Sequence, residues 1–114
     1  FQMIQQMLAD SAIEINSARL ALLQTAWEAD NDRNVSARIS MIKVQAAETL
    51  CRVADRAVQI YGGLGYCRDL PIERYYRDAR IYRIYDGTSE IHRMVIARAI
   101  SKGDLHLYNL NFAS

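Results

Sequence analysis

The residue of this sequence best placed to do chemistry is Asp86, in the stretch RIYDGTSEIHR at positions 83–93. A carboxylate at a helix junction can act as a general base, and partial loss of water beside the ring of Tyr85 would make it a stronger base. The competing interpretation is structural, because Asp-Gly commonly forms a turn and Thr88 or Ser89 can cap the next helix. The residues alone favour the turn and leave the general base open.

A second candidate is the glycine-rich stretch QIYGGLGY at positions 59–66. Glycines allow backbone N–H groups to come close to a phosphate group. This stretch follows a helical pattern, however, and it does not have the G-x-G-x-x-G spacing of a dinucleotide-binding turn between a strand and a helix. Taken alone, the glycines favour a cap at the end of a helix.

Metal binding and thiol chemistry find less support. His92 and His106 are the only histidines, and Glu90 lies two residues from His92, so that the two side chains point to different helix faces. Carboxylate-bridged metal sites in helical bundles need Glu-x-x-His pairs instead. Cys67 has no local neighbour that would activate its thiol. We therefore predict no metal site and no cysteine nucleophile.

Composition excludes several function classes. The chain has 114 residues and a net charge of +1, with no basic tract that would bind nucleic acid. No apolar run approaches the roughly 18 residues of a membrane span. Arginines recur at every third position of 74–83, but acidic residues lie among them, which favours an ion-pair surface over a phosphate site. Two cysteines make no disulfide framework, which indicates reduced thiols in an intracellular protein.

Helices must position these residues, because five glycines and a single proline leave few breaks in the chain. Apolar residues recur at helical spacing over 1–27 and 35–61, and shorter helical patterns follow over 71–85 and 89–101. We predict an all-α, up-and-down four-helix bundle with two long antiparallel helices and two shorter ones. The opening FQMIQQML lacks a cap, which indicates an earlier natural start, and the tail after Gly103 has no clear period.

Several of these motifs occur together in the order and spacing of one family. FQMIQQMLADSAIEINSARL, QIYGGLGY, ERYYRDARIYRIYDGTSEIHR and MVIAR, within about residues 1–102, resemble the C-terminal helical domain of the acyl-CoA dehydrogenase superfamily. The resemblance implies an FAD enzyme in which residues 1–114 are the C-terminal bundle, with the N-terminal helical and middle β domains absent from this chain. It also implies a homo-oligomer, a dimer or tetramer, whose subunits share FAD contacts.

The resemblance also implies roles for individual positions. Asp86 falls where many members place a catalytic Glu, and it would remove the α-proton of an acyl-CoA as a hydride leaves the β-carbon for flavin N5. The neighbouring subunit's FAD would be contacted by five residues: Gln59, Ile60, Tyr61, Gly62 and Gly63. The subunit's own FAD would be contacted by Thr88, Ser89 and Glu90, and the substrate would be contacted by Tyr85, Gly87 and Arg98.

Three alternatives stay open beside this assignment. Some branches of the superfamily place their base on an earlier helix, and nitroalkane oxidase uses an Asp as base, for which Arg93 would help to hold Asp86. A bundle that serves only oligomerisation is the third. The leading assignment implies electron-transfer flavoprotein or a similar acceptor as partner, and a location in the bacterial cytoplasm or the mitochondrial matrix. We also expect the 114-residue chain alone to be colourless and inactive.

Overall fold

The computed structural model describes residues 1–105, which form helices and no strand. The long helices are rich in alanine and unbranched side chains, which favour helix. The connection between them contains asparagine and aspartate, which disfavour helix interiors. The elements in chain order are α1 (Gln2–Asp30), α2 (Ser36–Tyr61), α3 (Gly63–Tyr66), α4 (Ile72–Arg80), a 3₁₀ turn (Ile81–Arg83) and α5 (Ser89–Ser101).

The two long helices, α1 and α2, run antiparallel and are joined by ion pairs. Glu28 near the end of α1 pairs with Arg38 near the start of α2, at 2.6 Å. Glu14 in the middle of α1 pairs with Arg52 at 3.1 Å and with Arg56 at 2.6 Å in the second half of α2. Because the partner's number rises on α2 as it falls on α1, the helices point in opposite directions.

Helix α2 is the centre of the bundle, since α1, α4 and α5 all pack against it. The buried apolar side chains are small, namely Ala47, Ala54 and Ala79, and small side chains allow helix backbones to approach closely. Much of the apolar stripe of α1 is uncovered within this chain, with Leu8 57% and Leu22 52% exposed. The described residues therefore leave this stripe of α1 largely uncovered.

The predicted all-α fold with two long antiparallel helices is confirmed, with two differences in detail. The first is a short helical turn, α3, which the four predicted helices did not include and in which the Gly65 N–H donates to the Gly62 carbonyl at 2.9 Å. The third predicted helix ends at Arg80 and tightens into a 3₁₀ turn, a frequent end for an α-helix, rather than continuing to Tyr85.

Two further predictions concern membrane-spanning segments and the C-terminal tail. None of the helices within residues 1–105 combines the length and apolar character needed to cross a bilayer. The predictions for the tail after Gly103 and for His106 concern mainly residues 106–114, which lie outside the described residues.

The Glu14 ion pairs predict a pH-dependent stability. Hydrogen bonding from Arg56, supported by the charge of Arg52, lowers the pKa of Glu14 below its ordinary value of 4.5. A lowered folded-state pKa means that the stabilisation is present above the unfolded-state pKa and is lost as pH falls through the folded-state value. Glu14→Gln is therefore expected to lower the free energy of unfolding by about 0.5–1 kcal/mol at neutral pH.

The measurement is chemical unfolding of both proteins across a pH series, with the difference expected to shrink as pH falls below the ordinary Glu pKa of 4.5 and through the lowered folded-state pKa of Glu14. Glu73→Gln is the matched control, because the Glu73–Arg77 ion pair lies within the single helix α4 and so does not tie two helices together. A Glu14→Gln difference that stays constant down to the lowest pH, or that merely equals the control, would show that this ion pair does not hold α1 to α2.

Candidate active site

The Asp86 turn links the 3₁₀ turn to α5 and presents the carboxylate at the surface. Asp86 has a φ of 54° and Gly87 a φ of 89°, so two consecutive residues take the left-handed conformation. Aspartate tolerates that conformation better than most residues, and glycine adopts it without steric cost. The Asp86 side chain is exposed, so the described residues do not provide the expected loss of water beside Tyr85.

Helix α2 holds the chain just before this turn. The Lys43 ammonium donates a hydrogen bond to the carbonyl of Tyr82 and lies 5.7 Å from the centre of the Tyr85 ring. Glu48, just over one helical turn further along α2, accepts a hydrogen bond from the Arg83 guanidinium at 3.1 Å. Two side chains of α2 therefore hold the segment 82–85 against that helix on the approach to Asp86.

The two tyrosines on this approach also contact each other. The rings of Tyr82 and Tyr85 meet edge to face, with centroids 5.3 Å apart. Partial burial raises the pKa of the Tyr85 phenol, and the neighbouring Tyr82 and the charge of Asp86 add to that effect. Tyr85 therefore stays neutral at physiological pH and offers an apolar ring with a hydrogen-bonding tip beside Asp86.

Helix α5 begins directly after the turn, as the sequence pattern predicted. Thr88 is the N-cap, and its hydroxyl accepts a hydrogen bond from the Ile91 N–H at 3.1 Å. Ser89 is only 3% exposed, and its hydroxyl has no partner among the described residues, whereas Glu90 is exposed. The surfaces of Thr88 and Glu90 are thus open to a ligand, and the Ser89 hydroxyl is not.

The glycine-rich segment forms a separate surface at the end of α2. Gly62 ends the helix with φ 61° and ψ −137°, a combination that strongly favours glycine, and its N–H donates to the Val58 carbonyl at 3.0 Å. A Cβ at Gly62 or Gly63 would meet no atom of the described part of the chain within 4 Å. Gln59 and Tyr61 are exposed beside them and Ile60 is half-buried, so backbone and side chains here are open to a ligand.

The structure brings together only part of the predicted site. Tyr85, Asp86, Gly87, Thr88, Ser89 and Glu90 are contiguous around the turn. Gln59–Gly63 lie at the far end of α2, roughly 30 Å along the axis from Ser40, which contacts the turn through His92. Arg98 is exposed in the last turn of α5, about 13 Å along that helix from Ser89.

FAD is a dinucleotide with a charged diphosphate, so a surface that holds it must accept an anionic group and a close approach to the backbone. The open backbone at Gly62–Gly63 admits close approach by a phosphate or ribose, since no atom of residues 1–105 fills the space of a Cβ there. At α5, the first N–H groups have no partner within the helix and the helix dipole favours an anion, although Glu90 adds a negative charge. Gly62–Gly63 and the start of α5 therefore fit the polar parts of FAD, its ribose and its diphosphate.

The remaining candidates have structural contacts. Within residues 1–105, no three His, Cys, Asp or Glu side chains are grouped closely enough to hold a metal ion. The Cys51 thiol donates to the Ala79 carbonyl at 3.4 Å, and Cys67 is an exposed thiol. Arg74 pairs with Asp78 and Arg77 with Glu73, as the predicted ion-pair surface requires.

Sequence reasoning missed the residues of α2 that support the turn. Ser40, Lys43 and Glu48 are polar positions on the side of α2 that faces the rest of the bundle. The available signal was polar side chains at helical spacing on an otherwise buried face, which often indicates a specific partner. Sequence reasoning offered His92 no partner beyond a metal ion or the Cys67 thiol, and its ring nitrogens instead lie near Ser40 and Asp86.

Residues 1–101 match the family model described as "Acyl-CoA dehydrogenase, C-terminal domain". The short-chain specific acyl-CoA dehydrogenase, mitochondrial, of Rattus norvegicus is 48% identical over 96 residues, covering 84% of this chain and 23% of that protein. The caffeyl-CoA reductase-Etf complex subunit CarC of Acetobacterium woodii is 40% identical over 102 residues, covering 90% of this chain and 27% of that protein.

The fold is also shared with a solved structure, the FAD complex of PigA. The superposition has a TM-score of 0.85 at 27% identity and covers 89% of this chain and 26% of that one. The chain therefore spans about a quarter of the length of the proteins that it resembles.

Proposed function

Because this chain belongs to the acyl-CoA dehydrogenase family, through its match to that family's C-terminal domain, we propose that it contributes the catalytic base of an FAD-dependent acyl-CoA dehydrogenase. The reaction is α,β-dehydrogenation of an acyl-CoA thioester. The observation that supports it most is the Asp86 turn, which presents an exposed carboxylate on a backbone tethered to α2.

Asp86 would accept the α-proton of the thioester. A general base must lie within hydrogen-bond reach of the proton that it removes, so its backbone must be held in place. The tether from Lys43 to the Tyr82 carbonyl and the Arg83–Glu48 ion pair provide such support. A bound acyl chain resting against the ring of Tyr85 would exclude water from the exposed carboxylate and make it a stronger base.

An Asp base differs from the Glu of many family members by one methylene. The shorter side chain withdraws the carboxylate by roughly 1.5 Å, given ordinary bond lengths. The left-handed conformation of Asp86 and Gly87 sets the direction in which the side chain leaves the turn. We propose that this backbone geometry compensates for the missing methylene.

FAD would be held at the two surfaces that fit it. The exposed residues at 59–63, with the open backbone of Gly62 and Gly63, would contact the FAD of a neighbouring subunit. The start of α5, at Thr88 and Glu90, would contact the FAD of the same subunit. The distance of roughly 30 Å between these surfaces along α2 suits contacts to two different cofactors. When bound, FAD supplies the acceptor for the hydride that leaves the β-carbon.

The proposed function also implies partners. Electrons would pass to electron-transfer flavoprotein or a similar acceptor, which agrees with the name of the relative CarC as a subunit of a complex with Etf. Shared FAD contacts require a homo-oligomer, and the exposed apolar side chains of α1, such as Leu8 and Leu22, offer surface for further domains or subunits.

Turnover assays of the full-length holoenzyme test this function. We expect at least one member of a series of straight-chain acyl-CoA thioesters, from short to long, to reduce an artificial electron acceptor. Nitroethane with oxygen as acceptor should give no product, because the proposed substrate is a thioester. Oxidation of nitroethane without any acyl-CoA turnover would instead support a flavin oxidase of the same superfamily.

A further inference from the structure

We propose that His92 is a positioning residue that fixes the Asp86 turn, an inference that rests on the proposed role of Asp86 as the base. The His92 ring lies between α2 and the turn. Its Nδ1 is 3.0 Å from the Ser40 hydroxyl oxygen, and its Nε2 is 3.1 Å from the backbone carbonyl oxygen of Asp86. One of these two hydrogen-bonding partners is the backbone of the candidate base itself.

The chemistry of these contacts determines the direction of the hydrogen bonds. A carbonyl oxygen can only accept, so Nε2 must carry a proton and donate it to Asp86. In the neutral ring Nδ1 is then an acceptor, and the Ser40 hydroxyl donates a hydrogen bond to it. The result is a directed chain from α2 through Ser40 and His92 to the peptide group that follows the base.

The Ser40–His92–Asp86 hydrogen bonds are not needed to cap α5. The Thr88 hydroxyl already accepts from the Ile91 N–H at 3.1 Å, and the Thr88 carbonyl accepts from the backbone N–H of His92 at 3.0 Å. Because the helix start is satisfied without the imidazole, the ring contacts act on the turn rather than on the helix end.

The contact with Asp86 fixes a conformation that an L-residue rarely adopts. Asp86 has a φ of 54°, and holding its carbonyl oxygen fixes the orientation of the peptide between Asp86 and Gly87. The ring packs directly over Gly87, where an added Cβ would lie only 2.7 Å from His92 Nε2. The glycine thus provides both the positive φ and the space that lets the imidazole reach the carbonyl.

Ser40, at the start of this series of hydrogen bonds, is buried on the central helix. Ser40 is 5% exposed on α2, the helix against which α1, α4 and α5 all pack. Lys43, one turn further along the same helix, holds the Tyr82 carbonyl on the other side of Asp86. The backbone is therefore held to α2 on both sides of the Asp86 side chain. Lys43 binds the carbonyl of Tyr82 before it, and His92 binds the carbonyl of Asp86 itself after it.

Two conservative variants of the full-length holoenzyme separate positioning from packing. The amide nitrogen of Gln can take the place of Nε2, so His92→Gln keeps the donation to Asp86 and loses the contact with Ser40. The amide of Asn takes the place of Nδ1, so His92→Asn keeps the Ser40 contact and does not reach Asp86. If the ring only fills space, the shorter and longer amides should differ in thermal unfolding and not specifically in catalysis.

We expect kcat for the best acyl-CoA to fall by roughly 10–100-fold in His92→Asn and by less than about threefold in His92→Gln, with KM little changed in either, because a small displacement of a base costs rate and not binding. The kinetic isotope effect of α-deuterated acyl-CoA should rise in His92→Asn alone. Hydrogen–deuterium exchange of the peptide containing residues 84–91 should be faster in His92→Asn than in His92→Gln.

Equal loss of kcat in both variants, or equal exchange in that peptide, would overturn the inference. The exchange measurement does not depend on turnover and therefore decides the positioning role even if acyl-CoA is not the substrate. Failure of the proposed function would appear differently, as a wild-type holoenzyme without acyl-CoA turnover.

Discussion

Replacement of Asp86 by asparagine in the full-length holoenzyme is expected to lower kcat for acyl-CoA dehydrogenation by about 10³-fold, within the range that general bases contribute. Asparagine preserves the size of the side chain and tolerates the left-handed φ of 54° at this position, so the turn should survive. The amide cannot accept the α-proton. KM should change little, because the carboxylate acts on the proton and not on binding.

Asp86→Glu is the informative companion. Glutamate restores the longer side chain that many family members use, and activity should stay within about tenfold of wild type if the turn relaxes by a fraction of the added methylene. Steady-state kinetics with thermal unfolding of all three proteins separates a chemical effect from a folding defect. If Asp86→Asn keeps wild-type kcat, the base lies elsewhere, on an upstream element of the full-length protein.

Gly65→Ala is expected to have the largest effect on stability. Gly65 is buried where α3 folds back on the end of α2, and an added Cβ would lie 2.7 Å from the Val58 carbonyl oxygen and 3.0 Å from the Tyr61 Cβ. The first of these is a backbone atom, which cannot rotate away. The helix end must shift, at an expected cost of about 2 kcal/mol, the usual range for overpacking.

The matched control is Gly63→Ala, because a Cβ at Gly63 would meet nothing within 4 Å. Thermal unfolding of the apoproteins should show a lower midpoint for Gly65→Ala and an unchanged or slightly higher midpoint for Gly63→Ala, since alanine favours helix over glycine. FAD retention should fall in Gly63→Ala if its backbone contacts the cofactor. Equal midpoints for the two variants would contradict the close packing of α3 on α2.

The helices could be predicted from the sequence because their signals are local. The 3.6-residue recurrence of apolar positions identified α1, α2 and α5, and the Asn-Asp and Gly-Gly steps marked the ends of α1 and α2. α3 could not be predicted in this way, because a helix of 4 residues has no period and depends on Gly65 packing against Val58.

For the site, too, the features that are local in sequence could be predicted and the long-range contacts could not. Asp86, Gly87 and Thr88 are contiguous, so their turn and cap could be predicted from residue types alone. The support from Ser40, Lys43 and Glu48 could not, because these contacts join residues 35 to 52 positions apart in the chain. His92 shows the same limit: its sequence neighbours excluded a metal site, whereas its role depends on what α2 places opposite the ring.

The most direct test of the account is a single-turnover comparison of the wild-type holoenzyme with Asp86→Asn. Each protein is mixed without oxygen with the acyl-CoA that the wild type turns over best, and loss of the oxidised-flavin colour is followed. We predict rapid bleaching of the wild type, slowed by α-deuteration of the substrate, and bleaching about 10³-fold slower in Asp86→Asn. Bleaching of Asp86→Asn at the wild-type rate would contradict the assignment of Asp86 as the base.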